Sequence, residues 1–125
     1  MNHELGITIS GRVIRGDGYG KKLGFPTANL DRREYIRKKM KIRFGVWAGI
    51  VIMKLKRYKA AMVIGPLDKH RLPKIEAHVL NFKGNLYGQK VTIILQKYLR
   101  PFKKYKSIDD LKKQIKQDIL RIKKP

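Results

Sequence analysis

Four apolar runs of strand length, separated by turn-forming stretches, fill the chain from Gly45 to Tyr98, and after Ser107 the apolar period changes. The run Gly45-Val46-Trp47-Ala48-Gly49-Ile50-Val51-Ile52-Met53 reads as a strand buried on both faces. Residues 58–65 read as its hairpin partner, 75–82 as another strand, and 90–98 as the strand that follows the turn Lys83-Gly84-Asn85-Leu86-Tyr87-Gly88. Upstream, residues 7–14 alternate apolar and polar as a half-buried strand does. Beyond Ser107 the apolar residues Ile108, Leu111, Ile115, Ile119 and Ile122 recur at steps of three and four, one stripe on a helix. Ser107 with Asp110 three residues on is a capping signature, and the acids at its start and bases at its end suit the helix dipole. Five or six strands on short connections, with no βαβ rhythm, predict a mainly β fold: a small closed antiparallel barrel of Greek-key type with its C-terminal α-helix laid on the wall. Residues 31–43, dense in Arg and Lys, are expected to form a short helix or an ordered loop.

At 125 residues the chain has the size of one domain, taken here as 1–125, and at 42% hydrophobic it can fill a core. It has no cysteine, which removes disulfides and thiolate metal sites. No apolar stretch reaches the length of a membrane span and the start does not resemble a secretory leader, so a cytoplasmic monomer is expected. The charge is extreme: 31 Lys and Arg against 9 Asp and Glu, a formal +22. Such a field draws nucleic acid, anionic lipid or phosphorylated small molecules, and non-specific polyanion binding follows from it. The basic residues run the whole length, as a Lys-rich compositional bias would also have them.

The segment Gly16-Asp17-Gly18-Tyr19-Gly20-Lys21-Lys22 is a loop by its glycines. It is not a P-loop, because Gly16 and Gly20 are separated by three residues and Lys21 is followed by Lys22 rather than Ser or Thr. It is not the dinucleotide fingerprint either, since no helix follows. It can still bring backbone N–H groups and two lysines to phosphate. After Pro26 the chain is extended, so the Thr27 hydroxyl and the Asn29 carbonyl point to one side, and hard oxygens beside phosphates are what Mg²⁺ uses. Glu76 lies on a strand, sharing a face with His78. A carboxylate in that setting either pairs with a surface lysine or has a role. His78 itself reads as a packed or hydrogen-bonded structural histidine, because no second His or Cys has ligand spacing. Tyr19, Trp47 and Tyr98 read as barrel wall or core.

The run Gly16-Asp17-Gly18-Tyr19-Gly20-Lys21-Lys22-Leu23-Gly24-Phe25-Pro26-Thr27-Ala28-Asn29-Leu30 resembles the riboflavin kinase signature. Gly45-Val46-Trp47-Ala48-Gly49, Glu76-Ala77-His78-Val79-Leu80-Asn81-Phe82, Leu86-Tyr87-Gly88 and Leu99-Arg100-Pro101 resemble further segments of that family, in order and spacing. The resemblance implies a six-stranded antiparallel barrel with a terminal helix. It also implies transfer of the γ-phosphoryl group of ATP to the ribityl 5′-hydroxyl of riboflavin, giving FMN and ADP with Mg²⁺ as cofactor. It places Thr27 and Asn29 at the Mg²⁺–phosphate site, and Gly16, Lys21 and Leu23 along the nucleotide phosphates. Glu76 falls at the catalytic base, Val79, Asn81 and Tyr87 on the adenine side, and Arg100, Lys103 and Ser107 on the flavin side.

Three departures stand against the family pattern. Tyr19 occupies a place where Arg is common, residues 64–71 lack the usual threonine or aromatic after Ile-Gly, and 31–43 is more basic than usual. The length leaves no room for the adenylyltransferase domain that bacterial relatives often carry, so kinase activity alone is expected. Two rival readings are a basic barrel that binds RNA or single-stranded DNA, and a catalytically weak relative that only binds flavin or nucleotide.

Overall fold

A computed structural model of the chain describes residues 6–15 and 27–123. Its elements are β1 (Ile7–Ile14), β2 (Thr27–Leu30), α1 (Arg33–Arg37), β3 (Gly45–Met53), β4 (Lys56–Leu67), β5 (Pro73–Val79), β6 (Lys90–Arg100) and α2 (Ile108–Lys123). The six strands close into an antiparallel barrel in the order β1-β2-β5-β4-β3-β6, as the alternation predicts. β3, β4 and β5 follow one another as neighbours and β6 returns beside β3, which is the Greek-key arrangement.

The structure moves several boundaries. β4 and β6 run further than residues 58–65 and 90–98, and the extended segment after Pro26 is a paired strand. The run 75–82 stops being a strand at Val79. There the Leu80 N–H donates to the Lys59 carbonyl, and Asn81 turns to φ +59, a left-handed geometry that Asn tolerates better than most side chains. Residues 31–43 hold a single short helix, tied down at both flanks. The Ser10 N–H donates to Glu34 Oε1 at 2.9 Å, and this bond holds the Glu34 carboxyl below its ordinary range. Arg32 reaches Asp68 at 2.7 Å on the β4–β5 connection. Desolvation works against the Asp68 charge, but the Arg32 guanidinium and the N–H groups of His70 and Leu72 outweigh it and hold its pKa at about 2.

Period-two alternation divides the wall into two faces. Ile9, Val13, Ala28, Leu30, Val51, Met62, Ile64, Ile75, Val79, Ile93 and Leu95 point inward and pack as one cluster. On the outside a second cluster forms where Ile115, Ile119 and Ile122 of α2 meet Ala61 of β4 and Leu80. Ala48 of β3 and Leu99 of β6 complete this seat. Alanine at positions 48 and 61, which face each other across β3 and β4, keeps the sheet surface low so that the helix can approach. Full burial of each helix isoleucine contributes about 1.5–3 kcal/mol.

A polar clamp orients the helix as well. Arg100, the last residue of β6, grips Asp118 of α2 with two hydrogen bonds, Nε to Oδ1 at 3.1 Å and Nη2 to Oδ2 at 2.8 Å. Gln114 adds a third bond to Oδ1 at 3.2 Å. Asp118 is 2% exposed, so its charge depends on these partners. Burial alone would lower the Arg100 pKa, but the hydrogen bonds and charge of Asp118 prevail and raise it. Ser107 caps the helix by accepting the Asp110 N–H at 3.2 Å.

The approach of β3 to β6 is closest at Gly49, where a Cβ would fall on the Ile94 carbonyl oxygen and on the Met62 methyl. Gly49→Ala should therefore destabilise the barrel by about 1–3 kcal/mol, read as a lower urea midpoint. Asp118→Ala leaves Arg100 in a half-buried site without its carboxylate and should cost roughly 3 kcal/mol. The double variant Arg100→Met with Asp118→Leu should recover most of that loss, as a double-mutant cycle on thermal unfolding would reveal.

Candidate functional site

The barrel register draws the chemistry-bearing residues into two rows across the outer wall. In one row Asn29 of β2 faces Glu76 of β5, Glu76 faces Val63 of β4, Val63 faces Val46 of β3, and Val46 faces Arg100 of β6. In the adjacent row Thr27 faces His78 and His78 faces Ala61. Because side chains two residues apart share a face, Thr27, Asn29, Glu76 and His78 all project from the same side of the wall. Glu76 and Arg100 stand three strand steps apart, roughly 14 Å between backbones, with only the two valines between them.

α2 covers the row of alanines and stands beside the row of valines. The result is a cleft of ≈ 340 Å³ with Val46 and Val63 on its floor. Glu76 and His78 form one side and Arg100 the other, while Leu111, Ile115 and Asp118 of α2 form a wall. Phe102, Lys103 and Tyr105, from the connection between β6 and α2, close the rim. The volume and the apolar lining with a few convergent polar groups are those of a small-molecule site.

The polar groups are tightly connected. Glu76 Oε1 lies 3.1 Å from His78 Nε2. His78 Nδ1 lies 3.2 Å from Thr27 Oγ1. The Tyr105 hydroxyl is buried beside Arg100 and Asp118 but bonds to neither, and burial pushes its pKa up. Such an orphaned hydroxyl is costly unless a ligand answers it. Among the described residues no cluster of three or more His, Asp or Glu side chains could hold a metal ion. Thr27 and Asn29 supply two neutral oxygens from adjacent positions on one face. That set suits a cation that takes its other ligands from phosphates and water, as Mg²⁺ does.

The other positions singled out in the sequence are placed as follows. Lys103 lines the cleft rim, and Ser107 stands at the cap of α2. Asn81 and Tyr87 are exposed, Asn81 in the turn that ends β5 and Tyr87 in the turn before β6. Val79 points into the barrel core at 1% exposure, on the face opposite Glu76, so its side chain is not brought to the cleft. Gly16, Lys21, Leu23 and Tyr19 lie outside the described residues. Their flanks are placed: the Arg15 guanidinium sits 4.6 Å from the centre of the Tyr87 ring, and Thr27 sits against His78.

Sequence reasoning did not single out Val63, Phe102 or Tyr105 as site residues and gave Asp118 no role. Asp118 had a legible signal. It lies three residues after Ile115 and one before Ile119, an acid inside the apolar stripe of the helix, where charge persists only with a partner. Trp47 and Tyr98 are wall residues as read. Their rings meet edge to face at 5.3 Å, with Trp47 Nε1 donating to the Arg43 carbonyl and the Tyr98 hydroxyl to that of Phe44.

Comparison with known proteins gives a consistent result. The family model described as Flavokinase, riboflavin kinase, matches residues 4–125. A bifunctional riboflavin kinase/FMN adenylyltransferase of Buchnera aphidicola is 39% identical over 125 residues, covering 94% of this chain and 38% of that protein's length. Among solved structures, riboflavin kinase from Trypanosoma brucei superposes with a TM-score of 0.68 at 25% identity, over 92% of this chain and 76% of that one. A Streptococcus pneumoniae protein described as a macrolide-efflux protein superposes with a TM-score of 0.82 at 25% identity, over 96% of this chain and 39% of that one. The match along nearly the whole chain, together with a barrel whose register aligns the signature residues, establishes that the chain belongs to the riboflavin kinase family.

Proposed function

We propose that the chain phosphorylates riboflavin, transferring the γ-phosphoryl group of ATP to the ribityl 5′-hydroxyl. The observation that carries this reading is the row Asn29–Glu76–Val63–Val46–Arg100, which joins an oxygen-donor pair to an apolar cleft through a single carboxylate. The flat apolar floor suits a flavin ring system. Arg100, Lys103 and the orphaned Tyr105 hydroxyl are polar groups able to meet the ring's carbonyl and nitrogen edge. Ser107 at the cap of α2 belongs to the same side. With the ring on the valines, the ribityl chain extends toward Glu76.

In the reaction the ribityl oxygen forms a bond to the γ-phosphorus while the bond from that phosphorus to the β,γ-bridging oxygen breaks, and ADP leaves with that oxygen. The proton of the hydroxyl passes to Glu76, whose Oε1 is held by His78. Bound Mg²⁺ would supply charge neutralisation for the phosphates, and Thr27 and Asn29 are the residues that would hold it. Gly16, Lys21 and Leu23 would lie along the phosphates, and Asn81 and Tyr87 toward the adenine. Val79 contributes there through its backbone at most, since its side chain fills the core.

The rival reading, a nucleic-acid barrel, has less support. It needs aromatic rings free to stack on bases. Trp47 and Tyr98 instead pack on each other, and Tyr58 packs edge to face on Phe82 at 5.4 Å, which leaves Phe44, Tyr87 and Phe102 as the exposed rings among the described residues.

Incubation with riboflavin, ATP and Mg²⁺, followed by flavin chromatography, should yield FMN. Absence of FMN with every nucleoside triphosphate would contradict the proposal. Glu76→Gln should lower kcat by about 10²- to 10⁴-fold, the range for a general base, with little change in nucleotide affinity. Normal turnover by that variant would remove Glu76 from the role.

A further inference from the structure

We infer that His78 is a positioning residue that holds both sides of the phosphoryl-transfer site, the carboxylate of Glu76 through Nε2 and the hydroxyl of Thr27 through Nδ1. The inference rests on the proposed roles of Glu76 and Thr27, and goes beyond them in assigning one imidazole to both.

His78 is 4% exposed, and with Asp118 it is one of the two buried polar or charged residues among those described. A buried imidazole is costly unless its nitrogens are answered. Both are answered by site residues, at 3.1 Å by Glu76 and at 3.2 Å by Thr27. The ring cannot easily turn away from either. Thr27 is its direct partner across the β2–β5 ladder, Glu76 is two residues back on the same face of β5, and Ala61 of β4 borders it on the other side.

The direction of each bond follows from the atoms. An ionised carboxylate only accepts, so an attractive contact at 3.1 Å from Glu76 Oε1 calls for the hydrogen on Nε2. In a neutral ring Nδ1 is then the acceptor, and the Thr27 hydroxyl donates to it. This fixes two otherwise soft torsions. The Glu76 carboxylate is held at Oε1, and the Thr27 hydroxyl has its hydrogen, hence its oxygen lone pairs, set in one direction. Groups that orient metal-facing and reacting side chains in this way typically matter 10- to 100-fold in metal affinity or activity.

The two bonds can be separated. In His78→Gln the amide reaches the Nε2 position and keeps a donor to Glu76 but loses Thr27. In His78→Asn the shorter amide stays near the Nδ1 position, keeps Thr27 and loses Glu76. His78→Gln should weaken Mg²⁺-dependent ADP binding, measured by calorimetry, by about 10-fold, a larger loss than it causes in kcat for FMN formation. His78→Asn should lose about 10- to 100-fold in kcat, a larger loss than it causes in Mg²⁺-dependent ADP binding. Equal losses in both quantities for both variants, in step with their melting temperatures, would mark His78 as structural and overturn the inference. So would wild-type behaviour of both. A tautomer measurement by ¹⁵N NMR on the unaltered chain stands independent of whether the variants fold: the Nε2–H form is expected, and the Nδ1–H form contradicts it. Failure of the base assignment is read separately, from normal turnover by Glu76→Gln, and leaves the calorimetric arm of His78→Gln intact.

Discussion

Three cross-strand pairs join β2 to β5: Thr27 to His78, Ala28 to Ala77 and Asn29 to Glu76. This short ladder decides whether the proposed phosphate side and the proposed base meet at all. A slip by one residue would turn Thr27 and Asn29 into the barrel and expose Ala28 and Leu30. The inward packing of those two residues, both at most 1% exposed, prevents the slip. The core therefore sets the register of the site, and the hydrogen bond between Thr27 and His78 reports that register on the outer face.

The same alternation produces the cleft. Across β4 and β3 the outward residues are Ala61 and Ala48 in one row, and Val63 and Val46 in the next. The helix sits on the alanines, and the valines remain as a floor. Arg100 serves both halves: it bounds the floor and, through Asp118, fixes the angle at which α2 arrives. Loss of that clamp would alter the width of the cleft as well as the stability of the helix. The acids of the described chain are used in the same economical way. Five of the seven acids among the described residues are paired, Asp31, Glu34, Asp68 and Asp118 with a basic side chain and Glu76 with His78, while Asp109 and Asp110 open α2.

The barrel and its helix were legible because the periods of two and of three to four are strong in this chain and the turns carry Gly and Asn. The edges were less so. Residues 80–82 look like strand by composition, yet Asn81 adopts a left-handed turn that ends β5. β2 is four residues long and gains its identity only from its partners, a signal local pattern cannot carry. Thr27, Asn29, Glu76 and Arg100 were singled out from the family resemblance, and the register explains why Asn29, Glu76 and Arg100, some fifty and seventy positions apart, share a row. His78 was read as structural because metal-ligand spacing is a sequence property, whereas bridging a carboxylate and a hydroxyl on a neighbouring strand is a property of the register. Val79 shows the converse. The resemblance put it on the adenine side, whereas alternation turns its side chain inward.

The central claim is that one outer row of the barrel joins a flavin cleft to a phosphate side. The most direct measurement is backbone amide NMR of the chain titrated with riboflavin. The account predicts that the largest shifts fall on Val46, Val63, Glu76, Arg100, Phe102, Tyr105 and Ile115, and that the outer face around Ile52, Arg57 and Thr92 stays unmoved. Shifts concentrated on that second face, with the cleft residues unchanged, would contradict it.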